Sequence, residues 1–250
     1  MPETTVAVVT GASRGIGRHI ALALARDGMD IVCAARSTKD APSKLPGTIE
    51  ETADQVEALG GRALAVACDI REEAQVDAMI VQTIDAFGRL DLLVNNAAVV
   101  APAPFAEITT KRWDLMLDVN LRGTMLCSRA VLPQMLEQGA GRIINISSGA
   151  VTDAEVTARL GIIPYAVSKA AVEALTEALA VELQPRGIAV NCLRIESAIA
   201  TEGARLADPG VDTEWEQPEA AAEAVRWIAS REVGYTGRVV TMAEVREESG

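Results

Sequence analysis

The feature that most constrains this chain is an alternation of two hydrophobic patterns. Seven short runs are apolar almost without interruption: "TVAVVT" (5–10), "DIVCAA" (30–35), "RALAVAC" (62–68), "LDLLVN" (90–95), "GRIINIS" (141–147), "IAVNCL" (188–193) and "GRVVTM" (237–242). Longer stretches of helical character separate them, at about 15–28, 48–60, 72–87, 111–138, 164–184 and 217–230. A strand wetted on one face alternates apolar with polar residues, whereas a strand covered on both faces stays apolar throughout. Such strands joined by helices imply right-handed βαβ crossovers and a parallel sheet with helices on both faces. No Pro/Gly/Ser linker, repeat or low-complexity tract divides the chain, and 49% hydrophobic content suffices for one large core. The expectation is one α/β domain over residues 1–250.

Charge and composition exclude several functions. A net charge of −12 argues against nonspecific binding to nucleic acid or to an anionic membrane, since both need a basic face. No apolar run reaches the length of a membrane span. The start "MPETTVAVVT" lacks the basic region of a signal peptide, so none is expected. Cys33, Cys68, Cys127 and Cys192 are far apart in apolar runs, which suits buried, reduced thiols in a cytoplasmic protein. The one histidine, His19, falls in a helical pattern and lacks a G-x-S-x-G partner motif, so it reads as an ordinary helix residue. No metal site is expected.

"VVTGASRGIG" leads from the first strand straight into a helix. Gly11, Gly15 and Gly17 there allow a tight turn, close backbone approach to a pyrophosphate, and free N–H groups at the helix start. The second strand ends in "CAARS", with Ala35 where an acidic residue would accept from a ribose 2′-hydroxyl. Arg36 follows it, and Arg14 lies in the glycine loop. Two guanidiniums suit a 2′-phosphate, with Ser37 and Lys39 in support, so NADP(H) is favoured over NAD(H). Two long loops, 36–48 and 194–217, follow the second and sixth strands, at the end of the sheet where such folds bind ligands.

"PYAVSKAAVEAL" (164–175) opens a helix with one of only two tyrosines, and a lysine follows four residues later. Tyr165 and Lys169 therefore share a face. Alone, the pair is as consistent with a surface or core contact as with proton handling.

Together, "TGASRGIG" (10–17), "NNAA" (95–98), "VNLRG" (119–123), "NISS" (145–148) and "YAVSK" (165–169) resemble the short-chain dehydrogenase/reductase family in order and spacing, over about residues 4–242. The resemblance implies a Rossmann-like three-layer sandwich with a seven-stranded parallel sheet. It also implies a nicotinamide cofactor, carbonyl–alcohol redox chemistry and a homotetramer or homodimer. It makes Tyr165 the general acid/base with Lys169 as its partner, Asn120 the holder of a relay water, and Ser148 the residue that binds the substrate oxygen, with Ser147 the alternative. It puts Ser13 and Ile16 with the glycines at the cofactor, Asp69 and Ile70 at the adenine, and Asn95 and Ala97 at the end of the fourth strand. The chemistry agrees. A phenol titrating near 10 needs a nearby cation to act as a base at neutral pH, and Lys169 has three donors to spend on that pair and on ribose hydroxyls.

The sequence departs from the family pattern in places. Sixteen residues, 149–164, separate Ser148 from Tyr165, enough for a short helical turn at the pocket wall. Ile195 and Glu196 stand where Pro-Gly is usual, bringing a carboxylate either near the nicotinamide or out to solvent. Ser197 or Thr201 remains as a carboxamide contact. The 194–217 lid reads as trimmed, and the tail lacks the usual Asp-Gly-Gly. These departures and "AARSTKDAPSKLPGTIEETADQVEALGG" resemble the hydroxysteroid dehydrogenase-like protein 2 branch, without its sterol-carrier domain. Val99, Val100, Phe105, Ile162, Ile163 and Trp215 suggest a mostly apolar small-molecule substrate, or ordinary packing. The leading expectation is an NADP-dependent oxidoreductase. A catalytically weak cofactor-binding module is the second, and another reaction on this scaffold, such as sugar-nucleotide epimerisation, the third.

Overall fold

A computed structural model describes residues 4–207 and 215–249. Its strands are β1 (Val6–Thr10), β2 (Asp30–Ala35), β3 (Ala63–Ala67), β4 (Leu92–Asn95), β5 (Gly141–Ser148), β6 (Ile188–Ile195) and β7 (Val239–Thr241). The helices are α1 (Gly15–Arg26), α2 (Ile49–Ala58), α3 (Glu73–Phe87), α4 (Thr110–Leu117), α5 (Thr124–Gln138), α6 (Ala154–Arg159), α7 (Ile163–Leu183), α8 (Glu202–Ala207), α9 (Pro218–Ala229) and α10 (Met242–Ser249). All strand pairs are parallel, in the order β3-β2-β1-β4-β5-β6-β7. The order reverses between β1 and β4, and a crevice opens there at the carboxyl ends of the strands.

Both faces of the sheet are covered, as uninterrupted apolar strands require. Ala7, Val9 and Ile31 point to one side, against Ile20 and Leu24 of α1 and Val225 and Ile228 of α9. Val6, Val8 and Val32 point to the other, against Met79 of α3, Val131 of α5 and Leu183 of α7. Successive side chains alternate across the sheet, so each strand feeds two cores. All four cysteines are free and buried. Burial pushes the Cys33 and Cys192 thiols up to about 12 and Cys68 to about 11, which keeps them neutral. His19 joins α1 to α9 through Glu219 at 3.3 Å. Among the described residues no helix is long and apolar enough to cross a membrane.

The structure differs from the expected elements in two places, the 111–138 helix and the end of the chain, and forms the short helical turn expected in the 149–164 insert. The single helix expected over 111–138 is interrupted by a π-helical turn, Asp118–Gly123. One extra residue in a turn leaves the hydrophobic period nearly unchanged, so periodicity does not register it. The insert folds as a short turn at 149–151 followed by α6, whose start Asp153 caps by accepting from Val156 N at 2.9 Å. Beyond β7 the chain turns directly into α10. Residues 208–214, the middle of the second expected loop, lie outside the described residues.

Candidate active site

The crevice is about 420 Å³ and is lined from the ends of β1, β2, β3 and β4 and from the segment after β6. Gly11 has φ +70 and packs so tightly that a Cβ there would lie 2.9 Å from the Cα of Ala97. A Cβ on Gly17 would lie 2.3 Å from the carbonyl oxygen of Gly11. These glycines therefore let helix and strand approach and leave backbone at the crevice floor. Ser13, Arg14, Gly15, Ile16, Arg36, Ser37, Asp69, Ile70 and Ala97 line it too. This is a cradle that fits a dinucleotide's phosphates and adenosine.

Within the crevice, the two arginines do different things. Arg14 donates through Nε to the Pro46 carbonyl at 2.8 Å and through Nη2 to Ser37 Oγ, Ser43 Oγ and the Gly47 carbonyl at 2.7–2.9 Å. It pins the long 36–48 loop, which then enters α2 through a reciprocal Thr48–Glu51 capping box. Arg36 has a side chain 64% exposed, and its nearest ion-pair partner is Asp69 at 4.0 Å. Asp69 is gripped by Arg71, whose guanidinium bonds hold its carboxyl below the usual range.

Ser148 stands at the end of β5, and Tyr165 and Lys169 stand in the first turns of α7. The Ser148 hydroxyl stands close enough to the Tyr165 phenol to pull its pKa down against the larger upward push of burial. Lys169 is 2% exposed; its Nζ donates to the Ile146 carbonyl at 2.7 Å and lies 5.7 Å from the Tyr165 ring centre. Burial lowers its pKa to about 8. Ser147 faces away, donating to Glu173. Ser148 rather than Ser147 therefore meets the phenol, because adjacent strand residues point to opposite faces.

Asn120 sits in the π-turn, completely buried. Its Oδ1 accepts from Val99 N at 2.8 Å, and its Nδ2 donates to the Val99 carbonyl and to Ser168 Oγ, both at 3.0 Å. It thus braces the crevice wall against α7; both Nδ2 protons are used, and the second lone pair of Oδ1 is the one position of this side chain left to accept a further bond. Asn95 does not line the crevice. It lies behind it, donating to Ser128 Oγ and Asn145 Oδ1 at 3.0 and 2.9 Å, and Asn96 stands at the wall instead.

Glu196 turns away from the reacting residues. Its carboxylate accepts from Met242 N at 3.0 Å and Ala243 N at 2.8 Å, capping α10. Gly149 packs on its backbone, a Cβ there lying 2.9 Å from the Glu196 Cα. The Ser197 hydroxyl is buried and has no hydrogen-bond partner among the described residues, and Thr201 lines the crevice.

Three residues that the sequence reading did not single out also belong here. Glu202 of α8 accepts from Gly15 N at 2.9 Å and from Arg18 at 2.8 Å, at the amino end of α1. Glu173 and Arg194 pair beneath Lys169. A signal existed for two of them: Glu173 follows Lys169 by four residues on the same helix face, and Arg194 interrupts an apolar strand.

Comparison with known proteins agrees with this geometry. The profile of the short chain dehydrogenases matches residues 5–207. Hydroxysteroid dehydrogenase-like protein 2 of Xenopus laevis is 36% identical over 97% of this chain, which spans 57% of that protein's length. The crystal structure of a putative dehydrogenase from Xanthomonas campestris superposes with a TM-score of 0.89 at 38% identity, covering 100% of this chain and 92% of that one. A short chain dehydrogenase from Mycobacterium paratuberculosis, crystallised bound to NAD, gives 0.83 at 30% identity and covers 96% of each chain. With the seven-stranded fold, the glycine crevice and the Ser–Tyr–Lys set in register, this chain belongs to the short-chain dehydrogenase family.

Proposed function

We propose that the chain moves a hydride between NADP(H) and the carbonyl or secondary-alcohol carbon of a mostly apolar small molecule. The observation that carries this reading is the Ser148–Tyr165–Lys169 set, joined through Asn120 to the crevice wall. Gly11, Ser13, Gly15, Ile16 and Gly17 would take the pyrophosphate, Asp69 and Ile70 the adenine, and Lys169 and Ala97 the nicotinamide half. The nicotinamide, when bound, supplies or accepts the hydride. Tyr165 gives its phenolic proton to the substrate oxygen in reduction and takes it back in oxidation. Ser148 donates a hydrogen bond to that oxygen. Lys169, still largely protonated at neutral pH, offsets the cost of tyrosinate in a buried setting.

Arg36 supports the preference for NADP. It is exposed at the crevice, and Ala35 offers no carboxylate to a 2′-hydroxyl or against a 2′-phosphate. The NAD-bound relative makes the opposite preference the natural competitor. Exposed Val100 and Phe105, on a loop that Ala103 N ties to the Gly161 carbonyl at 3.0 Å, support an apolar substrate face. Reduced thiols suit the cytoplasm, and a homodimer or homotetramer is the assembly to look for by sedimentation.

Fluorescence titration with NADPH and NADH tests the cofactor; tighter NADH binding would overturn the argument from Arg36. A carbonyl panel tests the chemistry. Tyr165→Phe is expected to lose about 10²–10⁴ in turnover with its fold intact. Undiminished turnover would remove Tyr165 from the mechanism. Cofactor binding without turnover on any carbonyl would favour the binding-module reading, which the replaced Pro-Gly at Ile195 and Glu196 motivates.

A further inference from the structure

Beneath the reacting residues lies a set of side chains that the chemistry above does not use. Glu173 is one helical turn beyond Lys169 and two beyond Tyr165, so all three share one face of α7. It is 8% exposed. Arg194 of β6 grips it with a fork, Nε to Oε1 at 2.9 Å and Nη2 to Oε2 at 2.7 Å. The Ser147 hydroxyl donates to Oε1 at 2.6 Å. Ser147 and Arg194 are register partners across β5 and β6. One carboxylate thus ties α7 to both strands at a single level. Ile146, one residue before that level, supplies the carbonyl that holds Lys169. Ser148, one residue after it, meets Tyr165.

A buried ion pair is a poor source of stability, because well-packed apolar residues of similar volume do as well or better. Removing one partner, by contrast, strands a charge. We propose that Glu173 and Arg194 are positioning residues: as a neutral, hydrogen-bonded pair they fix the Ile146–Ser148 end of β5 against α7 and keep stray charge away from Tyr165 and Lys169. The proposal rests on the Tyr165–Lys169 reading of the site.

The groups near this pair are few. From α7 it is Lys169, one turn from Glu173, with Tyr165 a further turn along the same face. From β6 they are Arg194 and Cys192, whose thiol burial keeps neutral. From α10, Glu244 acts on Arg194 from the exposed side. β5 contributes only the neutral hydroxyls of Ser147 and Ser148. Breaking the pair from its two ends therefore has opposite electrostatic consequences. Glu173→Gln leaves a cation and favours tyrosinate; Arg194→Met leaves an anion and disfavours it.

The chain has two tyrosines, so in a Tyr235→Phe background near-ultraviolet tyrosinate absorbance reports Tyr165 alone, without substrate or cofactor. The midpoint is expected to fall by about half a pH unit or more in Glu173→Gln and to rise by about as much in Arg194→Met. It is expected to return to the reference in the double variant. Arg194→Lys, which keeps the charge and loses the fork, is expected to hold the reference midpoint, and it decides if either single variant fails to fold. A Glu173→Gln midpoint at or above the reference, equal-sign shifts in the two single variants, or an Arg194→Lys shift as large as that of Arg194→Met would overturn the proposal. Full turnover by Tyr165→Phe would instead overturn the reading of the base, leaving the order of these midpoints to be judged by itself.

Discussion

At the glycine-rich end of the site the chain presents backbone, and at the reacting end it presents buried side chains. Gly11, Gly15 and Gly17 make the cradle by lacking a Cβ, and the side chains around them, Arg36 above all, are exposed and adjustable. Around Tyr165 almost every polar group is fixed by another: Lys169 by the Ile146 carbonyl, Asn120 by Val99 and Ser168, Glu173 by Arg194 and Ser147. The first end offers shape and N–H groups to a ligand, where water and salt soften charge effects. The second works in a dry interior, where one stranded charge is costly. Substitutions at the two ends should therefore fail in different ways.

The sharpest way to break the contrast is Gly17→Ala. Its Cβ would lie 2.3 Å from the Gly11 carbonyl oxygen and 2.4 Å from Asn96 Nδ2, both part of the cradle. A destabilisation of about 1–3 kcal/mol is expected, together with weakened NADPH binding, measured by denaturant unfolding and fluorescence titration. Arg36→Ala is the next test. It should leave stability unchanged and reduce the preference for NADPH over NADH by about tenfold or more, since a hydrogen bond to a charged group contributes about 1.5–3 kcal/mol. Glu196→Ala asks whether a carboxylate beside the reacting end belongs to it. The expected outcome is a loss of about 1 kcal/mol from an uncapped α10, read in urea unfolding, with cofactor affinity unchanged.

The contrast also shows in the pH dependence of stability. Lys169 has its pKa lowered from 10.5 to about 8 in the folded chain. Between those values the unfolded chain holds the extra proton, so this lysine makes stability rise with pH across that window. The buried cysteines oppose it. Their thiols are raised from 9.0 to about 11 or 12, so they hold their protons in the fold while the unfolded chain loses them, and stability falls above pH 9. Lys169→Met should remove the rising component and keep the falling one, which unfolding curves collected from pH 7 to 10 would resolve.

Much of the fold was legible in the sequence. All seven strand runs form strands within a few residues of where the apolar pattern puts them, because a two-sided burial pattern leaves the backbone little choice. The grouping of the motif residues was legible as well: Gly11 lines the crevice, and Ser148, Tyr165 and Lys169 stand together, as the family resemblance implies. The limits are specific. Asn95 was expected at the crevice but lies behind it, with Asn96 at the wall, because β4 ends there and its last residue still points inward. Arg14 was paired with Arg36 as a phosphate ligand, yet its fork holds the 36–48 loop, a contact between segments about thirty residues apart. The turn that displaces Asn120 inward was read as plain helix.

The sequence by itself determined the layer order, the parallel sheet, the glycine turn and the one-turn spacing of Tyr165 and Lys169, all of which follow from local periodicity and backbone sterics. Tertiary structure alone decided the long-range partners of three carboxylates. Glu196 caps a helix 46 residues away, Glu202 sits against the amino end of α1, and Glu173 meets Arg194. The physical reason is that a polar group leaving water must find its partner in space, and chain separation places no bound on where that partner comes from.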